Sequence, residues 1–161
     1  MTLVFSRDFV IFADYFQFYL QDERSGGING DSWNKDSTDR MLAVENDAFA
    51  VGTVRNMNVP VTVELHNREP TIIQVADQIL ECSMRVPSGK IVIAGCTDYF
   101  PDASRIETAP GAYRVRVSFF GLEDISDDRL EGKDRYLVQL WPENFTSVSI
   151  VKERAVRKVA G

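Results

Sequence analysis

The sequence predicts an all-β protein, an antiparallel β-sandwich of about nine strands. Hydrophobicity alternates with a period of two rather than 3.6. Runs of this kind recur at near-regular spacing with turn residues between them, and no amphipathic segment exceeds two helical turns. At 161 residues the chain reads as one domain, residues 1–161, with a possible short tail at 152–161 that is either a basic helix or a frayed end.

Over residues 14–21, Tyr15, Gln17 and Tyr19 alternate with Phe16, Phe18 and Leu20, and the second, apolar set faces a core. Residues 48–55 and 59–66 follow. In the latter, Val59, Val61, Val63 and Leu65 line one face, while Pro60 on the other marks an edge or a strand start. The short connection 56–58 predicts a hairpin between these two. Strands are also expected at 71–76, 79–86 and 90–96, the last two joined as a second hairpin through Pro87-Ser88-Gly89. Residues 112–120 place Tyr113, Val115, Val117 and Phe119 on one face and Arg114, Arg116 and Ser118 on the other. Residues 135–142 are apolar on both faces, as suits a central strand whose outer face is also covered. A last short strand is expected at 145–151. Phe16, Phe18, Val61, Val63, Val115, Val117 and Leu140 are the predicted core.

Eighteen basic and 24 acidic side chains give a net charge of -6 and a pI near 4.8. That balance argues against direct nucleic-acid binding, which needs clustered Lys and Arg, and suits a basic protein partner. Cys82 and Cys96 lie in apolar runs, far from any C-x-x-C spacing, and read as two buried reduced thiols. The apolar N-terminal run is interrupted by Arg7, Asp8 and Asp14 and lacks the features of a signal peptide. No run approaches the roughly 18 apolar residues of a membrane span. The expectation is a cytoplasmic protein without a membrane partner.

Little in the chain points to catalysis. His66 is the single histidine and has no nucleophile near it in sequence. One histidine and two cysteines fall short of a structural zinc site. The glycine-rich 25–30 lacks the Lys and Ser/Thr of a phosphate-binding loop. No catalytic residue, metal or cofactor is expected.

Two long connections remain, 22–40 and 121–134. The second carries Glu123, Asp124, Asp127, Asp128, Glu131 and Asp134 against Arg129 and Lys133. It lacks the ligand order of a calcium loop. It reads either as a solvated connection or as a contact for a basic partner, with Asp124, Asp127, Asp128 and Glu131 at its centre. Trp33 is the one large aromatic residue of the first connection. It either folds back onto the sheet or stands out as a partner-binding anchor.

Four stretches together resemble the competence protein J family: Tyr15-Phe16-Gln17-Phe18, then Asp31 and Trp33, then the run from Ala43 to Arg55-Asn56, then Gly111-Ala112-Tyr113. Members of that family are small bacterial cytoplasmic inhibitors of the nuclease that acts in DNA uptake. The resemblance implies a binding protein that inhibits a basic enzyme such as a nuclease. A β-scaffold enzyme, and an immunity-type or complex-subunit protein with no nuclease partner, stand as alternatives.

Overall fold

The computed structural model describes residues 1–155. In chain order its elements are β1 (Leu3–Phe12), β2 (Gln17–Asp22), α1 (Lys35–Arg40), β3 (Leu42–Glu45), β4 (Ala48–Gly52), β5 (Asn58–His66), β6 (Gln78–Val86), β7 (Lys90–Gly95), β8 (Ser104–Glu107), β9 (Gly111–Phe120), β10 (Arg135–Pro142) and β11 (Ser149–Lys152). A six-stranded sheet runs β1-β5-β10-β9-β6-β11, and a five-stranded sheet runs β3-β4-β2-β7-β8. All neighbours are antiparallel except β5 and β10, which run parallel.

The core lies between the sheets. Alternate residues of β5, β6, β9 and β10 (among them Val61, Val63, Leu80, Val115, Val117 and Leu140) meet Phe18, Leu20, Phe49, Val51, Ile91 and Ile93 of the smaller sheet. The period-two pattern therefore names the buried face correctly. Phe16 is the exception: it is 45% exposed, because residues 14–16 form a 3-10 turn that precedes the strand.

Both predicted hairpins are corrected. β4 and β5 lie in different sheets, as do β6 and β7, so both short connections cross from one sheet to the other. Alternation reports which face is buried and is silent on which sheet carries it. Residues 71–76 form no strand; Ile72 and Ala76 pack instead on Ile79, Phe120 and Leu137, on the outer face of the larger sheet. Three strands had not been expected (β1, β3 and β8), so the described residues hold eleven rather than nine. Of the predicted tail, Lys152 belongs to β11, and residues 156–161 lie outside the described residues.

The covered outer face explains the doubly apolar β10. It also buries Arg114 and Arg116. Arg116 lies over the Trp141 ring at 4.9 Å, donates to Glu81 at 2.9 Å and donates to the Pro70 carbonyl at 2.7 Å. Arg114 donates to Ser83, Ser149 and the Thr146 carbonyl, which ties the strap before β11 onto the sheet. Of the two thiols expected to be buried, Cys82 is buried in the core, and Cys96 is the correction: it ends the β7 run and is exposed. Burial pushes the Cys82 thiol up to about 12.

Val117 is wholly buried between Val138 and Leu80 on the neighbouring strands. Val117→Asp should cost about 3–5 kcal/mol in a denaturant titration, since the carboxylate has no partner there. With a thiol reagent at pH 8, the folded protein should react at about one equivalent, from Cys96, and at a second only on unfolding. Cys96 should react more slowly than a free thiol, because desolvation and the nearby Asp14 and Asp98 push its pKa up.

Candidate functional site

The acidic loop between β9 and β10 is fastened at its base by a buried ion pair. Arg55, in the crossing from β4 to β5, donates from Nε to Asp134 Oδ1 at 2.6 Å, and the two side chains are only 7% and 0% exposed. The second carboxylate oxygen of Asp134 accepts from the Tyr136 hydroxyl at 2.8 Å. That hydroxyl in turn accepts the Val54 N–H at 3.0 Å. Burial, with the Asp134 carboxylate beside it, raises the Tyr136 phenol well above its ordinary pKa, so it stays a neutral donor. Arg55 also reaches the Leu130 carbonyl at 3.2 Å, inside the loop itself. Two glycines permit this closeness. A side chain at Gly121 (φ 68) would collide with the Lys133 carbonyl, and a Cβ on Gly132 would stand 2.6 Å from Ile125 Cγ2 and 3.0 Å from Arg55 Nε.

Above this anchor the loop is folded back on itself. Ile125 and Gly132 form an isolated bridge, and Ser126 N–H donates to the Glu131 carbonyl at 2.8 Å. Asp128 accepts from the Ser126 hydroxyl at 2.6 Å and from the Leu130 N–H at 3.0 Å. Those bonds, the hydroxyl's first, hold its carboxyl below the usual range. Asp124, Asp127, Asp128 and Glu131 are all exposed, so the predicted cluster is presented to solvent, while Asp134 is withdrawn from it.

Beside the loop lies an open cleft of ≈ 260 Å³, lined by Tyr15, Phe16, Gln17, Trp33, Met41 and Thr53 among others. A second groove is lined by Val54, Glu123, Ile125, Asp127, Arg129 and Arg154 among others. Thr53 and Val54 are consecutive residues, so the acidic loop and the aromatic cleft share one end of the sandwich. Trp33 is half-buried, and its indole N–H donates to Gln17 Oε1 at 3.1 Å. One edge of the ring is thus docked on β2 while the ring still lines the cleft. Three of the four resemblance stretches meet here, where Trp33 holds Gln17, the Asn56 side chain accepts from the Phe16 N–H at 3.3 Å, and Arg55 holds Asp134. The fourth, Gly111-Ala112-Tyr113, opens β9 at the opposite end of the sandwich.

The backbone at this end is strained. Tyr15, Phe16, Met41 and Arg129 are the non-glycine residues with left-handed φ among the described residues, at 58°, 57°, 61° and 61°. Two of them line the cleft as consecutive aromatics, a conformation that costs about 1–3 kcal/mol per residue. Bonds from the Tyr15 N–H to Asp14 and from the Thr53 N–H to the Phe16 carbonyl hold the turn. Tyr15 and Phe16 are 70% and 45% exposed, so this expense buries little.

Elsewhere the structure offers less. His66 Nδ1 meets Thr2 Oγ1 at 2.7 Å and Nε2 meets Glu64 Oε1 at 2.8 Å, and Gln139 donates to that same oxygen at 2.9 Å. These bonds fasten the N-terminus and the outer face of β5 and β10, and His66 lines neither cleft described above. A larger groove of ≈ 680 Å³ between α1 and β11 mixes Asp36, Asp39 and Glu153 with Arg40 and Arg154. Among the described residues no group of three or more His, Cys, Asp or Glu side chains is placed to hold a metal ion, and no helix is long and apolar enough to cross a membrane.

No family model and no curated protein matches this sequence. Solved structures do. Over 88% of this chain and 97% of the other, it superposes on ComJ from Bacillus subtilis, an inhibitor of the DNA-degrading activity of NucA, with a TM-score of 0.65 and 17% identity. It also superposes on the crocagin biosynthetic gene J protein, with a TM-score of 0.61 and 18% identity over 87% of this chain and 98% of that one. The chain shares its fold with both. The resemblance drawn from four short motifs therefore holds for the architecture.

Asp134→Ala leaves Arg55 buried without its counter-charge and should cost about 3–5 kcal/mol in thermal or denaturant unfolding. The double variant Arg55→Met, Asp134→Leu should regain much of that loss, because an apolar pair removes both desolvation costs. Even so, it should release the loop, seen as faster amide exchange at Ser126 and Lys133 than in wild type. If the double variant keeps wild-type exchange at those amides, the ion pair does not position the loop.

Proposed function

We propose that this chain is a small protein-binding protein that occupies the basic surface of an enzyme, a nuclease first among the candidates. The observation that supports it most is the exposure of Asp124, Asp127, Asp128 and Glu131 on a loop whose base is locked into the sandwich. A nuclease groove is basic because it holds phosphates, and carboxylates fixed on a rigid scaffold take the place of those phosphates at little cost in ordering. Trp33, at the rim of the same surface, supplies an apolar anchor beside the charged contact. The shared fold with a NucA inhibitor points the same way, although fold alone does not carry function. Two unpaired cysteines suit a reducing compartment, and we place the protein in the cytoplasm.

The test is a DNA-degradation and binding assay with a NucA-type nuclease. The wild-type chain should inhibit with fast, salt-sensitive association. Replacing Asp124, Asp127 and Asp128 by Asn and Glu131 by Gln should leave the melting temperature nearly unchanged, since exposed charges contribute little to folding. The same change should weaken binding by about tenfold or more, with most of the loss in the on-rate at low salt. If the quadruple variant binds as tightly as wild type at low ionic strength, the loop is a solvated connection and not the contact.

A further inference from the structure

The cleft formed by Tyr15, Phe16 and Trp33 has features that the acidic loop alone does not account for. Its two consecutive aromatics are held at left-handed φ and left largely in solvent. Burial of the rings does not explain this, because Phe18 and Leu20 on the following strand already fill the core. A steric demand for the turn does not explain it either, since glycine would adopt the same φ without strain. What the conformation achieves is placement. It brings both aromatic side chains to the lining of one cleft with Trp33, which is itself fixed by its bond to Gln17.

Three aromatic side chains lining a small open cleft suit a cation, because the face of an aromatic ring carries negative quadrupole potential. The exposed loop at the same end favours the same sign. It presents Asp124, Asp128 and Glu131 to solvent, while the adjoining groove balances Glu123 and Asp127 against Arg129 and Arg154. At ≈ 260 Å³ and open to solvent, the cleft suits the end of one long side chain and not a folded segment. Gln17 also lines the cleft, and its Oε1, which accepts from Trp33, has a second lone pair for a further donor. A guanidinium meets all of these at once: it stacks flat on aromatic rings, is weakly hydrated and donates in its own plane.

We propose that the Tyr15–Phe16–Trp33 cleft receives a single arginine side chain of the partner. This rests on the reading that the acidic end of the sandwich meets a basic protein, and it adds the chemical identity of the anchor. The acidic loop supplies the long-range attraction, and the aromatic cleft selects arginine over lysine and over apolar side chains.

The test needs no nuclease. The full-length, isotope-labelled chain is titrated with the capped tripeptide Gly-Arg-Gly and followed by NMR. Counterparts carrying citrulline, lysine or leucine in the middle position are run in parallel. The expected result is a saturating shift of the Trp33 indole N–H and of the Tyr15 and Phe16 amides, in the range of about 1–10 mM for the arginine peptide. Affinity should fall about threefold or more with lysine, and further with citrulline, which keeps the planar shape but not the charge. In Trp33→Ala, with the remainder of the spectrum unchanged, the response should vanish. Equal shifts with the leucine peptide would make the cleft an apolar pocket and overturn the proposal. So would equal shifts with citrulline, or no response at Trp33. Because only peptides are used, a failed nuclease assay leaves this result standing, and a failed titration leaves the nuclease assay standing.

Discussion

Asp134 has no exposed surface, so its charge has to be answered inside the protein, and the arrangement of this whole end of the sandwich follows from how that is done. A carboxylate at such a site would cost several kcal/mol if left alone. Arg55 supplies the counter-charge at 2.6 Å, and Tyr136 supplies a hydrogen bond to the other oxygen. These three residues come from different places: the crossing between the two sheets, the end of the acidic loop and the central strand β10. The pair therefore ties the loop both to the connection that joins the sheets and to the middle of the larger sheet. Arg55 reaches on to Leu130, so the anchor extends to the loop's far side. Such a pair is a weak source of net stability, and here it fixes the position of the loop.

Position on one side has consequences on the other. The segment that carries Arg55 also carries Asn56, whose side chain holds the Phe16 N–H, and Thr53, whose N–H donates to the Phe16 carbonyl. The strained aromatic turn is thus fastened to the same connection as the acidic loop. Charge and aromatic surface form one face because both are bonded to a single stretch of backbone, residues 53–56. The outer face of the larger sheet contributes rigidity. There Arg116, Trp141 and Glu81 bury a polar layer under residues 67–77, so β9 and β10 are held from both sides and give the loop fixed ends.

Much of this was legible in the sequence, and the limits are physical. Alternation identified β9 and β10 almost to the residue, because buried strands leave a period-two signal whatever their neighbours. The same signal misassigned the connections at 56–58 and 87–89, since a crossing between sheets and a hairpin leave identical patterning on the flanking strands. Phe16 looked like core by its spacing and is exposed, because a left-handed turn ahead of the strand shifts its side chain out of register. The exposed carboxylates of the loop were apparent from composition alone. The role of Asp134 was not, because nothing in a run of acidic residues marks the one that turns inward to an arginine 79 positions away. The nearest hint was the Arg55-Asn56 pair within the resemblance, which bonds the base of the acidic loop on one side and the aromatic turn on the other.

The central claim is that residues 121–134 and the cleft of Tyr15, Phe16 and Trp33 act as one contact face. Hydrogen–deuterium exchange of the chain alone and with a NucA-type nuclease tests it most directly, because it reports the whole surface without choosing residues in advance. Slowed exchange in the nuclease complex is predicted for residues 121–133 together with 14–17 and 31–34, with the free edge of β1 and the strand β11 unchanged. Protection that falls on β1 or β11 and leaves both the loop and the cleft at their free rates would contradict the account.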